Sequence, residues 1–160
     1  MTIVDSAQPT AETKPTRDLL RALSLILVIV GLAISGYLSY VKLTEVPIVC
    51  VANSEVFNCE VVQNSAYSRI AGIPVAWFGF AVYVVLFGLL LLENRIEFLR
   101  QNGILVMFGI TIFAWLYSMY LVYLQFFVLK ALCPWCLGHE ATMTLIFIVA
   151  CLRLRKTLSP

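Results

Sequence analysis

Four stretches of this chain are nearly free of charge, and they restrict its fold more than any other feature. Ala22 to Val41 is 20 residues without Asp, Glu, Lys or Arg, and Pro74 to Leu92 and Gly103 to Leu129 are also uncharged. A hydrocarbon layer needs about 20 such residues per helical crossing. Inside lipid, only a helix or a closed barrel satisfies its own backbone polar groups. The fourth run, Ala141 to Leu152, has only 12 uncharged residues. It reaches crossing length only if its helix starts near Pro134 and takes His139 and Glu140 inside. At 61% apolar and 12% charged, the chain lies far from a soluble domain of about half apolar and a quarter charged residues. The expected fold is all-α and integral to a membrane, a bundle of four transmembrane helices near residues 19–43, 74–93, 103–129 and 134–153.

The flanks are polar: residues 1–18 read as a disordered tail, and 154–160 as a short second tail. "AIS" before Gly36 loosely resembles a signal cleavage site, yet the apolar run continues to Val41, so the first segment is expected to stay as an anchor. Lys14, Arg17, Arg21, Arg95, Arg100, Arg153, Arg155 and Lys156 fall on one side of a four-span topology. Lys42, Arg69 and Lys130 fall on the other. The positive-inside bias then predicts an inner (plasma) membrane protein with both termini in the cytoplasm. Residues 44–73 become a long outer loop. Loops of that length are uncommon unless functional, and this one is apolar enough to carry a short amphipathic helix over residues 60–70 before "AGIP" turns into the second span. The net charge of +2 adds nothing beyond topology, and no nucleic-acid partner is expected.

The cysteines follow from that topology. Cys50 and Cys59 lie in the outer loop, Cys133 and Cys136 open the fourth helix, and Cys151 sits at its other end, where a packed, inert thiol is expected. With Pro134 as first helical residue, Cys133 and Cys136 share one turn and lie within disulfide reach. The unpaired N–H groups at that helix end favour a thiolate. A CxxC is also half of a zinc site, but the other cysteines are nine residues apart, not two to four. A structural disulfide is a second alternative. Two pairs on an oxidising face suit a relay by thiol–disulfide exchange from a soluble partner through the loop pair to the CxxC. The final acceptor must lie in the membrane. No ligand set for haem or an iron–sulfur cluster is evident, and no glycine-rich dinucleotide motif. A quinone, ubiquinone or menaquinone, suits the location.

Candidate pocket residues come from helical spacing. Leu121, Gln125 and Leu129 recur every four residues and lead up to Cys133, with Gln125 able to donate to a quinone carbonyl and Phe78 able to stack. His139 and Glu140 lie three and four residues past Cys136, share its face, and are candidates to carry the protons of quinone reduction. Gly31, Ser35, Gly36 and Ser39 suit close helix approach.

The ordered set "GLAISGYLSYVKL", Cys50 with Cys59, "CEVVQNSAYSRIAGIPVAWFG" and "LCPWCL" resembles the vitamin K epoxide reductase family in its bacterial, quinone-linked form, over about residues 20–152. The resemblance implies a bundle around a quinone, open toward the outer face. It implies that Cys136 reacts with the quinone, Cys133 exchanges with Cys59, and Cys50 receives the thiol of a partner. It also puts Ser65 within hydrogen-bonding reach of the quinone or the cysteines. Vertebrate members carry an asparagine shortly before the "FG" of the second helix and a tyrosine four past the CxxC; here those places hold "VAW" and Glu140, which argues against vitamin K epoxide as substrate. No thioredoxin-like domain follows before Pro160, so a separate thioredoxin-like (DsbA-like) protein is expected to deliver electrons, driving disulfide formation outside the cytoplasm. DsbB-like enzymes run the same reaction with the CxxC in the first outer loop, opposite to the order here. A non-catalytic membrane subunit or metal-binding protein is the alternative of another class.

Overall fold

The structure, a computed structural model, describes residues 14–50 and 56–158. It is an all-α membrane bundle of four long apolar helices: α1 (Lys14–Thr44), α3 (Val75–Leu92), α4 (Glu97–Tyr123, prolonged by a π-helical turn over Leu124–Leu129) and α5 (Pro134–Leu158). A short helix, α2 (Cys59–Asn64), lies in the connection between α1 and α3. Residues 1–13 of the expected tail, and Val51 to Glu55 of the loop, lie outside the described residues.

Helix ends differ from those expected, and at α4 and α5 the physical reason is shared. Lys14 to Asp18 are helical and not tail; α4 begins at Glu97, not at 103; and α5 runs on to Leu158, through most of the second expected tail. An uncharged run marks the lipid-buried part of a helix, but charged side chains prolong it where they suit the helix dipole. Glu97 sits in the first turn of α4, 2.7 Å from Arg100 and 3.0 Å from the Gln101 amide. Arg155 and Lys156 sit in the last turn of α5.

The loop also resolves differently. Instead of one helix over 60–70, α2 is followed by a single 3₁₀ turn, Ala66–Ser68, and a minimal hairpin, β1 (Arg69–Ile70) with β2 (Ile73–Pro74). Ala71 and Gly72, with φ of 50° and 86°, make the two-residue connection. Two consecutive positive φ values match the right-handed strand twist of a tight hairpin. Asn58 caps α2, its Oδ1 accepting the Val61 N–H at 3.1 Å. The helix is amphipathic: Cys59 and Val62 point inward, Glu60 and Val61 outward.

In the bundle, α1 packs on α3 and α5, and α4 packs on α5. The core between them holds Val28, Tyr83, Leu86, Leu90, Met107, Met143 and Ile146. Tyr83 is fully buried against Gly31, where any Cβ would overlap the ring. Ser39 Oγ donates to the Ala76 carbonyl at 3.2 Å, a second close approach of α1 and α3. Small residues at helix contacts do this in membranes because apolar side chains gain nothing by leaving lipid. At the end where α1 begins and α5 ends, Arg153 donates to both oxygens of Glu93 at 2.6 and 2.8 Å. The outer surfaces, with Ile26, Ile29, Phe113, Leu145 and Ile148 exposed, suit contact with acyl chains.

Candidate functional site

Cys50 and Cys59 form a disulfide, with Cα atoms 5.9 Å apart, whereas Cys133, Cys136 and Cys151 are thiols. The disulfide is held against the CxxC from both sides. Beyond Cys59, Phe57 and Leu132 form a parallel bridge: the Asn58 N–H donates to the Leu132 carbonyl at 3.0 Å and the Leu132 N–H to the Val56 carbonyl at 2.9 Å. Beyond Cys50, the Trp135 Nε1–H donates to the Val49 carbonyl at 2.8 Å, and the Val49 N–H donates to the Tyr37 hydroxyl at 3.3 Å. The Tyr37 and Trp135 rings lie 4.9 Å apart. The residues flanking the two loop cysteines are therefore tied to the peptides flanking the CxxC. Cys59 and Cys133, 1% and 0% exposed, are buried in one cluster with Val62 and Ala131. Cys50 is only half-buried.

The CxxC opens α5 as its spacing predicts, with Pro134 first in the helix, where a missing N–H leaves no bond unmade. The Cys133 N–H donates to Gln125 Oε1 at 3.1 Å, and the Cys136 N–H donates to Cys133 Sγ at 3.3 Å. Gln125 reaches that position because α4 widens into its π turn, a feature frequent at functional sites. Lys130 then takes a left-handed conformation, and the Lys130 and Ala131 N–H groups both close on the Gln125 carbonyl. The Cys136 thiol, by hydrogen bonding to Cys133, holds the Cys133 thiol below its ordinary range. The Cys136 and Trp135 N–H groups add to this, against the upward push of burial.

Behind Cys136 lies a cavity of about 520 Å³ between α3 and α4, closed by α1, α5 and the loop. Its walls are almost wholly apolar. Ser65, Phe78, Leu121, Gln125, His139 and Glu140 all border it, as does Cys136, while Cys133 does not. Phe78 and Phe113 are both wall residues and exposed on the outer surface, so the cavity opens sideways toward lipid. The Ser65 hydroxyl donates to the Val62 carbonyl at 2.9 Å and ends α2. Because Gln125 Oε1 accepts the Cys133 N–H, its amide nitrogen is the group left for a ligand.

Glu140 is 4% exposed and its Oε2 is buried without a hydrogen-bond partner. Its Oε1 lies 3.4 Å from His139 Nδ1. His139 is held in turn: the Tyr83 hydroxyl donates to its carbonyl at 3.4 Å, the Tyr83 ring meets the imidazole edge-on at 5.2 Å, and Gly79 leaves the space its Nε2 needs. Among the described residues no group of three or more His, Cys, Asp or Glu side chains is placed to hold a metal ion.

Several contributors escape a reading of the sequence alone. Gln63 Nε2 donates to Cys136 Sγ at 3.3 Å, and Lys42 Nζ holds α2 to α1 through the Gln63 carbonyl and Asn64 Oδ1. Trp135, Tyr37 and Asn58 tie down the loop. The one available signal was Gln63 lying four residues past Cys59, a spacing that means something only once α2 is known to be a helix.

A free dithiol with one thiol on an apolar membrane cavity and the other packed against a docked disulfide defines a membrane thiol–disulfide oxidoreductase. The chain belongs to the vitamin K epoxide reductase family, whose model matches residues 22–151. Members of this family reduce quinones with electrons taken from thiols.

Proposed function

We propose that residues 19–153 form a membrane domain passing electrons from a thioredoxin-like (DsbA-like) protein, through Cys50/Cys59 and then Cys133/Cys136, to ubiquinone or menaquinone. A partner thiolate attacks half-buried Cys50, breaks the Cys50–Cys59 bond and leaves as a disulfide once its second thiol resolves the mixed species. The freed Cys59 thiolate then attacks Cys133 of an oxidised CxxC, and Cys50 resolves that link. The reduced CxxC next reduces the quinone: Cys136 Sγ bonds to the ring, Cys133 Sγ displaces it, and hydroquinone leaves behind a Cys133–Cys136 disulfide. The two thiol protons released equal the two protons the quinone takes up. His139 and Glu140 carry them across the cavity; Gln125 and Ser65 hold the carbonyl end, Phe78 and Leu121 the ring. The cysteines then lie on the periplasmic side of the inner membrane and both termini in the cytoplasm, as the basic residues suggest.

One observation carries this reading: Cys136 borders the cavity, whereas Cys133 is sealed between Cys136 and Cys59. That placement supports the proposed order of the relay. The test is single-cysteine variants in purified protein. Cys136→Ala should abolish reduction of a water-soluble quinone by a small dithiol, Cys133→Ala should let Cys136 retain quinone covalently, and Cys50→Ala should stop only the electrons arriving from the partner. Quinone reduction by Cys136→Ala at the wild-type rate would remove the assignment.

A further inference from the structure

At the opposite end of the bundle from the cysteines is a second cavity of about 180 Å³, and it is polar. It lies where α1 begins, α3 turns into α4, and α5 ends. Asp18, Arg21, Glu93, Asn94, Arg153 and Lys156 supply its polar wall, and Leu20 and Ile104 its apolar part. Its charges do not cancel: three cations, Arg21, Arg153 and Lys156, face two carboxylates, Asp18 and Glu93. Glu93 is already committed, with both oxygens on Arg153 and Oε2 3.8 Å from Arg21 Nε. That distance is too long for a hydrogen bond, and Arg21 Nε is buried with no acceptor. The rest of the Arg21 guanidinium is fixed, one terminal nitrogen donating to the Leu90 carbonyl at 2.9 Å. The Lys156 ammonium has no hydrogen-bond or ion-pair partner among the described residues.

We infer that this cavity binds a singly charged phosphate ester, supplied by the headgroup of a membrane phospholipid. One negative charge balances the excess of one positive. A phosphate oxygen gives the Arg21 Nε–H the acceptor it lacks, and planar guanidinium groups suit phosphate. Lys156 adds a mobile ammonium at the mouth. The depth fits as well, because the cavity lies where the apolar spans of α1 and α5 give way to charged residues, the level of lipid phosphates. Leu20 and Ile104 then meet the glycerol and upper acyl chain. Basic pockets between transmembrane helices recognise lipid headgroups on these same grounds.

The test is thermal unfolding of the full-length protein in detergent. The probes are a short-chain phosphatidylglycerol, a diacylglycerol of the same chain length without phosphate, and inorganic phosphate. The phosphatidylglycerol should raise the unfolding temperature, and Lys156→Gln should weaken its apparent affinity about ten-fold, the loss of one charge-assisted bond. Arg21→Gln should weaken it at least as much. If Arg21→Gln does not fold, Lys156→Gln, which breaks no described bond, carries the test. Quinone reduction should be unchanged in Lys156→Gln. Equal protection by the phosphate-free lipid, or equal affinity in wild type and Lys156→Gln, overturns the site. Protection by inorganic phosphate at the lipid's own working concentration overturns the lipid as its source.

Discussion

Trp135→Phe should separate the two halves of the redox cycle. The substitution keeps an aromatic ring against Tyr37, at the 4.9 Å separation seen here, but deletes the Nε1–H that donates to the Val49 carbonyl at 2.8 Å. That bond fixes the residue next to Cys50. A hydrogen bond of this kind contributes about 0.5–1.5 kcal/mol net. Removing it lowers the docked-to-undocked ratio of the loop disulfide about two- to twelve-fold, taking RT as about 0.6 kcal/mol. The Phe57–Leu132 bridge still anchors the Cys59 side, so the loop loosens without leaving. Exchange between the loop pair and the CxxC should therefore slow by up to about an order of magnitude, whereas reduction of quinone by a pre-reduced CxxC should not change. The assay is rapid acid quench followed by mass-spectrometric mapping, with the Cys59–Cys133 link as the observable. Tyr37→Phe, which removes the longer 3.3 Å bond to Val49, should have a smaller effect in the same direction. If both variants exchange at the wild-type rate, the loop is not held by these contacts and the docking argument fails. Slowing of both half-reactions equally would mean that Trp135 acts on the whole fold.

Other consequences follow from the same geometry. Cys133 is held below the ordinary thiol range chiefly by its bond from Cys136, so its alkylation rate should rise with pH at a midpoint below the usual ~8.5; Cys136→Ala should move that midpoint upward. The sign is fixed by the direction of the shift: the thiolate persists at pH values where a free cysteine is protonated. Glu140→Gln keeps the shape and the contact to His139 but cannot pass a proton, so single-turnover quinone reduction should slow about 10²-fold or more while thiol exchange with a small dithiol is unaffected; equal slowing of both would assign Glu140 a purely structural role. Gly31→Val drives a side chain into the Tyr83 ring and should destabilise the bundle by about 1–3 kcal/mol, read as a lower unfolding temperature. Replacing Tyr83 with Leu alongside Gly31→Val should restore part of that loss.

Much of this was legible in the sequence because lipid is a demanding solvent. An uncharged run such as Pro74 to Leu92 has few alternatives to a spanning helix, and α3 occupies nearly those residues. Helix ends were less visible, since charges at Glu97, Arg155 and Lys156 are penalised by a hydropathy reading but favoured by the helix termini. The CxxC was legible because its chemistry depends on i, i+3 spacing on a helix whose start Pro134 marks. The loop was not. Its hairpin rests on two residues, Ala71 and Gly72, whose positive φ values leave only "AG" as a trace in the sequence. Gln63 reaches Cys136 only because Lys42 and the Leu132 peptide dock α2 onto the bundle, contacts between segments far apart in the chain. Gln125 was expected to serve a quinone carbonyl. Its oxygen also fixes the Cys133 peptide, which leaves the amide nitrogen for that task, and the π turn that makes this possible has no periodicity signal.

The relay is tested most directly by a single turnover. Fully reduced protein, with Cys50, Cys59, Cys133 and Cys136 all as thiols, is mixed with one equivalent of quinone without air and quenched at successive times. The first disulfide mapped should be Cys133–Cys136, appearing together with one equivalent of hydroquinone, and Cys50–Cys59 should form only afterwards by exchange. A Cys50–Cys59 disulfide that forms first, while Cys133 and Cys136 remain thiols, would contradict the assignment of the cavity to Cys136.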